Sequence, residues 1–395
     1  MSIEDRPSTS RLENLPKELQ SLILQNLPDC TTLRALIRSS TTYHTSYLGQ
    51  RQFILSQVLL NELGPECLFL ACALEQCSII SDLHTSGAEF LTRMFNGFFI
   101  HYYDQLETAK DGDWLEGKDL DTVISITRLH WLIVSVASIY LTQLAKNPLT
   151  KAISRNQGPP SRHEIQRVVR ALYHFEIYCS LFTSRTLYSP AENFEDHVSL
   201  SGPQYGTSLR YLPNIDVADA EGVACLREHL NNYYTKLMWS SDGCGKELRR
   251  LQETPPVWMR ELEQTSASNH SSWAGEYGDE KIEYWISLGL RFFLRLARAP
   301  TPEAQAEILY HEPWRRKYFL SKALNGECPS LNRICGAHNR HTHDTTSERG
   351  SRISAWWRTS DRGLVGYERK ERQLWGYVFW DQKRLDSWME EKASS

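Results

Sequence analysis

The sequence has one cluster of residues that could bind a metal ion, close to its C-terminal end. Its cysteine and histidine side chains are of the ligand types that zinc prefers. The candidate ligands are Cys328, Cys335, His338 and His341. Their spacing contains no CxxC pair and matches no zinc module, and the segment around them is polar. We therefore predict no bound metal, and these four side chains are the candidates should a zinc site exist.

Sequence motifs that would support catalysis are missing. There is no GxSxG turn, no GxxxxGK[ST] phosphate loop, no GxGxxG dinucleotide loop and no HExxH helix. His130, His174, His229 and His311 lie in segments with helical apolar periodicity, where we expect hydrogen-bonded core or half-exposed histidines rather than general bases. We predict a non-catalytic protein without a cofactor, and an enzyme site in the helical part of the chain is an alternative.

Composition and charge limit the classes of partner. The chain has 395 residues, of which 41% are hydrophobic and 23% charged, and a formal net charge of −4. This balance predicts no basic surface of the kind that binds nucleic acid. The first residues do not form a basic segment followed by an apolar run, so we predict an intracellular protein, cytoplasmic or nuclear, with reduced cysteines.

The longest apolar stretch, Val123–Leu141, has about the length of a membrane span. It carries Arg128 and His130, and a charge inside a span costs about 2.5–3.5 kcal/mol on insertion scales. We therefore predict a buried core helix and no membrane partner.

Helical periodicity extends over most of the remaining chain, which predicts a mainly α fold. The expected helices run from Gln52 to the Gly64-Pro65 pair, then over 66–83, 86–110, 119–146, 161–185, 219–240, 280–298 and 302–324. Turn-rich segments at about 147–160, 189–216, 265–278 and 328–352 predict long loops. Residues 374–388 also fit a helix, with a short strand over Trp375–Trp380 as the alternative.

Two helix starts are marked by capping residues. Ser161 stands three residues before Glu164, which is the spacing of a capping box. Thr301 precedes Pro302, a pair that suits an N-cap followed by the first helical residue. In outline we predict a disordered tail 1–11, a three-helix unit 12–50, and an irregular helical body 51–395 on which that unit packs or to which it is linked.

The 12–50 segment has the clearest pattern in the chain. Pro16 suits the first position of a helix, and Pro28-Asp29 ends that helix. The apolar stripe of the first helix, at helical spacing, is Leu19, Leu22, Ile23 and Leu27, with Leu24 off the stripe. Asp29 or Thr31 can cap a second helix, and Tyr43 and Tyr47 mark a third. Three such short helices bury little surface alone, so we expect them to pack against a partner or the rest of the chain.

This segment resembles an F-box. The resemblance lies in the run Leu15-Pro16-x-Glu18-Leu19-x-x-Leu22-Ile23-Leu24-x-x-Leu27-Pro28, followed by a second helix. The whole chain is also similar in style to fungal-type F-box proteins, including the ending Gly376-Tyr-Val-Phe-Trp-Asp381-x-x-Arg384-Leu385.

The resemblance implies binding rather than catalysis. F-boxes dock on a Skp-type adaptor of a cullin RING ubiquitin ligase, and the rest of the chain presents a protein substrate, whose identity the sequence does not indicate. The positions that match the docking helices are Leu15, Pro16, Leu19, Leu22, Ile23, Leu27, Leu33 and Ile37. The alternative is a non-catalytic helical scaffold or binding protein in which the F-box-like helices are only structural.

Overall fold

The structure is a computed structural model of the full chain. It describes residues 11–82, 113–144, 158–182, 215, 217–253, 278–312, 320, 373–374, 376–381 and 383–385. Within these residues the fold is mainly α, as predicted, and contains no strand. The predicted tail, the predicted helix 86–110 and nearly all of the four predicted loops lie outside the described residues.

The described residues form two compact units, of which the first comprises 11–76 and 113–131. It opens with three short helices, α1 (Lys17–Gln25), α2 (Cys30–Ser39) and α3 (Thr41–Gly49). A long helical segment, α4 (Arg51–Asp82), follows, and α5 (Leu120–Leu144) comes after a 3₁₀ turn at Asp113–Leu115. The predicted domain boundary at residue 50 falls inside this unit, and the division into 12–50 and 51–395 stays a prediction.

Local hydrogen bonds set the ends of the three short helices. Asp29 caps α2 by accepting the Thr32 N–H at 2.7 Å. Ser40 separates α2 from α3 and caps α3 through its side chain. Pro16 occupies the N-cap of α1 rather than the first helical position predicted for it, and it makes no side-chain cap bond. The helices thus begin within one or two residues of where the sequence places them.

Helix α4 breaks where the sequence predicts. Gly64 adopts a left-handed φ of 69°, and Pro65 then begins the second half of α4. Residues 67–74 beyond this break are buried on all sides, as expected for a helix in the middle of a core.

Two helical segments in the described part, Arg51–Cys77 and Leu120–Leu144, are long and apolar enough to span a membrane by length and composition. Helices in the core of a globular protein meet the same criterion. The predicted core helix Val123–Leu141 is buried along one face, which includes Val123 and Ile133, whereas Trp131 and Val134 are exposed.

The second unit comprises the described residues of 77–82 and from Leu132 onward. Its further helices are α6 (Arg162–Phe182), α7 (Val217–Trp239), α8 (Cys244–Glu253), α9 (Gly278–Ser287), α10 (Gly289–Ala297) and α11 (Pro302–Tyr310). Helix α7 packs on α6, α8 and α9, and α8 packs on α11. The core includes Trp285, Tyr234 and Phe293, all fully buried.

Two helix predictions in this unit are corrected, and one helix of the structure was not predicted. The predicted helix 280–298 is two helices, because Gly289 takes a left-handed φ of 80° and the chain turns there. The predicted helix 302–324 ends at Tyr310. Helix α8 was not predicted, because only two of its residues, Cys244 and Leu248, supply buried apolar side chains.

The C-terminal segment binds the start of α6. Tyr377–Phe379 forms a 3₁₀ turn with buried aromatic side chains, rather than the predicted long helix or strand. Beyond it, Arg384 Nε and Nη2 donate to the fully buried Glu164 carboxylate at 2.8 and 3.0 Å. Ser161 and Glu164 also form the predicted capping box, at 2.7 and 3.2 Å.

The cysteines of the described part are buried free thiols. They are Cys30, Cys67, Cys72, Cys77, Cys179, Cys225 and Cys244. Burial raises the pKa of Cys72 and Cys77 to about 12 and that of Cys244 to about 11, so these thiols stay protonated and act as small apolar core residues.

Candidate partner-binding surface

Helix α1 exposes two leucine side chains and buries two polar ones. Leu19 and Leu22 are 46% and 52% exposed, whereas Gln20 and Ser21 are buried. Leu24, which lies off the predicted stripe, is the only fully buried apolar side chain of α1. This arrangement is the reverse of an ordinary surface helix, whose apolar stripe faces the core.

We call the surface formed by Leu15, Pro16, Leu19, Leu22 and Ile23 the outer face of α1. Pro16 is exposed, and Leu15 and Ile23 are half-buried. The structure thus brings together five of the eight predicted partner-binding residues on one short helix and the turn before it.

The other three predicted residues lie apart from the outer face. Leu27 follows α1 and is half-buried, as is Ile37 on α2. Leu33 on α2 is only 3% exposed, so it is not part of an exposed surface, and its contact with a partner stays a prediction. Leu48 and Phe53 are also exposed, at 55% and 58%, but they are not among the positions that match the docking helices of the motif.

A polar network joins the start of α1 to α3. Gln20 Nε2 donates to the carbonyl oxygens of Glu13 at 3.0 Å and Leu15 at 2.8 Å, and the Ser46 hydroxyl donates to Gln20 Oε1. Ser40 Oγ donates to the Glu13 carboxylate at 2.5 Å. Hydrogen bonds from Gln20 and Ser40 to the backbone and the Glu13 side chain therefore hold the turn that leads into α1.

Helix α4 holds the other end of α1. Asn61 Nδ2 donates to the carbonyl oxygens of Gln25 at 2.7 Å and Leu27 at 3.0 Å. The neighbouring Glu62 accepts the Cys30 N–H at 2.9 Å through Oε2. Two adjacent side chains of α4 thus hold the connection between α1 and α2.

Glu62 is also paired with a buried histidine. Its Oε1 lies 3.1 Å from Nε2 of His130 on α5, whose side chain is almost completely buried. Burial alone would raise the pKa of Glu62, but the hydrogen bonds and charge of His130 and the Cys30 N–H outweigh it and lower that pKa. The carboxylate is therefore charged at neutral pH. Burial, together with this carboxylate, raises the pKa of the Cys30 thiol, which makes it a poor nucleophile.

The histidines of the second unit take structural roles. His174 lies 3.7 Å from Asp219, which accepts from Arg170 at 2.6 Å. His229 Nε2 lies 2.6 Å from Gln143 Oε1, and burial lowers its pKa to about 4. His130 and His174 are buried and His229 is half-buried, in agreement with the prediction of core or half-exposed histidines. His311 differs, because it is exposed at the end of α11.

No metal centre is found among the described residues, since no three or more cysteine, histidine or acidic side chains cluster there. The candidate zinc ligands Cys328, Cys335, His338 and His341 lie outside those residues.

Comparison with known proteins finds no match to the chain among family models, curated proteins or solved structures. The likeness of residues 12–50 to an F-box therefore stays a prediction, based on the motif quoted above.

Proposed function

We propose that this chain is an F-box-like adaptor whose outer face of α1 binds a Skp-type adaptor of a cullin RING ubiquitin ligase. The remainder of the chain would present a protein substrate for ubiquitination and would perform no chemistry itself. The observation that supports this proposal is the outward direction of the apolar residues on α1, at the positions where the F-box motif expects docking contacts.

The energetics favour covering this face. Complete burial of a leucine side chain is worth about 1.5–3 kcal/mol, so Leu19 and Leu22, each about half exposed, would gain about 1 kcal/mol apiece when covered. Within the chain, in contrast, α1 buries one apolar side chain, Leu24. A partner that covers the outer face would supply the apolar burial that α1 lacks.

Binding of the purified full-length chain to a purified Skp-type adaptor, measured by calorimetry, tests the proposal. Leu19→Asp and Leu22→Asp should each weaken binding by about a hundredfold, because each places a charge in an apolar contact. Val134→Asp is the matched control, since Val134 is an exposed apolar residue of the second unit, and it should leave the affinity unchanged. Equal affinity for all three variants would exclude the outer face as the docking site.

The second candidate is a helical scaffold in which residues 12–50 are structural. The contacts of Asn61 and Glu62 with Gln25, Leu27 and Cys30 favour it, because they build these helices into a larger unit. Deleting residues 1–50 would uncover the core of that unit under either hypothesis, so loss of folding would not distinguish them. The binding measurement does distinguish them, because a scaffold would show no affinity for the adaptor even in the unaltered chain.

A further inference from the structure

Helix α1 is held in place by few apolar contacts. It has nine residues and no side-chain cap at its start. A helix of this length is marginal by itself in water and depends on tertiary contacts. Because Leu24 is its only fully buried apolar side chain, complete burial of apolar surface fixes α1 at one position along its length.

Two side-chain amides hold the ends of α1 instead. Gln20 binds the carbonyl oxygens of Glu13 and Leu15 before the helix. Asn61 binds those of Gln25 and Leu27 at its end. Each amide therefore binds two backbone carbonyls. Along the chain, one pair of carbonyls lies at the start of the outer face and the other lies after its end.

The two amides come from different parts of the sequence. Gln20 belongs to α1 itself and is only 3% exposed, whereas Asn61 lies on α4, beyond the last residue of the F-box-like segment. A fragment that ends before residue 61 keeps the motif but loses the hydrogen bonds at the C-terminal end of α1.

We propose that Gln20 and Asn61 are positioning residues that present the outer face in a preformed arrangement, so that the functional docking unit extends into α4. This inference rests on the proposed function, because it concerns how that same surface binds its partner. Neither amide needs to touch the partner. Each keeps the backbone around the outer face in the conformation that the partner binds.

The expected effect follows from the population of that conformation. When only part of the molecules hold the binding conformation, the apparent affinity falls by that fraction. Removing one amide breaks its two hydrogen bonds to backbone carbonyls and the one that its oxygen accepts, from Ser46 at Gln20 or from Gln57 at Asn61. Two carbonyl oxygens then lack these donors, which favours opening of that end. We expect an affinity loss of about tenfold for each variant, mainly through a slower association rate.

The experiment compares Gln20→Met and Asn61→Leu in the full-length chain, both of which preserve side-chain size and remove the amide. Gln52→Met is the matched control, because Gln52 also donates to a backbone carbonyl, that of Lys118, but does not bind α1. Association and dissociation rates with a purified Skp-type adaptor are measured by biolayer interferometry. Amide hydrogen exchange of the free proteins is followed over residues 12–28.

Support would be a slower association rate and faster exchange over residues 12–28 for the two amide variants, with the control unchanged. Ser46→Ala keeps both Gln20 N–H donors and should retain affinity within about threefold. Unaltered association for both amide variants would overturn the positioning role while the proposed function stood. Absence of binding by the unaltered chain would instead overturn the proposed function, and the docking role of the amides with it.

Discussion

Replacing Glu164 by glutamine tests how strongly the C-terminal segment is attached to α6. The Glu164 carboxylate is fully buried and binds both Nε and Nη2 of Arg384, itself 7% exposed. Glutamine has nearly the same shape but no charge. The Arg384 guanidinium would then remain buried without a counter-charge, and its acceptors would all be neutral: the glutamine amide oxygen and the carbonyl oxygens of Gly158 and Pro159, at 3.3 and 3.1 Å.

The magnitude follows from the cost of a buried charge without its counter-charge. Removing one partner of a buried ion pair destabilises a protein by about 3–5 kcal/mol. Arg384→Met should cost less than Glu164→Gln, because the carboxylate keeps the N–H donors of Ser161 and Asp381 at 2.7 and 2.9 Å. The double variant leaves neither charge of the pair without its partner. Its loss of unfolding free energy should therefore be smaller than the sum of the two single losses by at least about 1 kcal/mol.

Urea denaturation gives the free energy of unfolding for the four proteins, and hydrogen exchange over residues 158–170 locates the change. Exchange there should increase in both single variants and less than additively in the double variant. Single losses that add within about 0.5 kcal/mol would refute the reasoning, since the two side chains would then not act as a pair.

Two further predictions concern the contact between α6 and α10, where Glu176 Oε2 accepts the Leu290 N–H at 2.7 Å. Burial raises the pKa of Glu176 from 4.5 to about 7, so the folded state retains the proton longer than the unfolded chain and stability falls as pH rises from about 4.5 to 7. Glu176→Gln should remove this dependence of stability on pH and stabilise the protein by up to about 3 kcal/mol at pH 8. Denaturation curves at pH 5 and pH 8 check this, and an unchanged pH dependence would show that Glu176 does not cause it. Gly289→Ala should destabilise by about 2–3 kcal/mol, because φ is 80° and the new Cβ would lie 2.7 Å from Glu176 Oε2. Gly49→Ala is its control, since a Cβ there meets nothing within 4 Å; equal urea midpoints for the two variants would contradict the argument.

Local signals in the sequence predict the helix ends well. The Asp29 cap, the Ser161–Glu164 capping box and the break at Gly64 depend on residues within four positions of one another, and the structure contains all three. The sequence does not predict the turn at Gly289, because helical periodicity continues across this residue. The contact with Glu176, more than a hundred residues away, leaves no local signal.

The direction of α1 could not be predicted from its own residues. Periodicity identifies an apolar face of a helix but does not show whether that face lies inside or outside the fold. The decisive contacts of Gln20 and Asn61 are to the backbone or to the distant Ser46, and backbone acceptors leave no trace in the residue pattern. The pattern therefore places Leu33 among the docking positions and leaves Leu24 off the stripe, although both side chains are buried.

The buried thiols give the two units separate chemical reporters of opening. Alkylating reagents attack the thiolate, and in the folded chain Cys72 and Cys244 are buried and burial raises their pKa to about 12 and about 11. Cys72 belongs to the first unit and Cys244 to the second. A labelled peptide that contains one of them records a moment when that unit was open. Alkylation in a cell extract, followed by mass spectrometry, would thus reveal which unit opens first without any engineered probe.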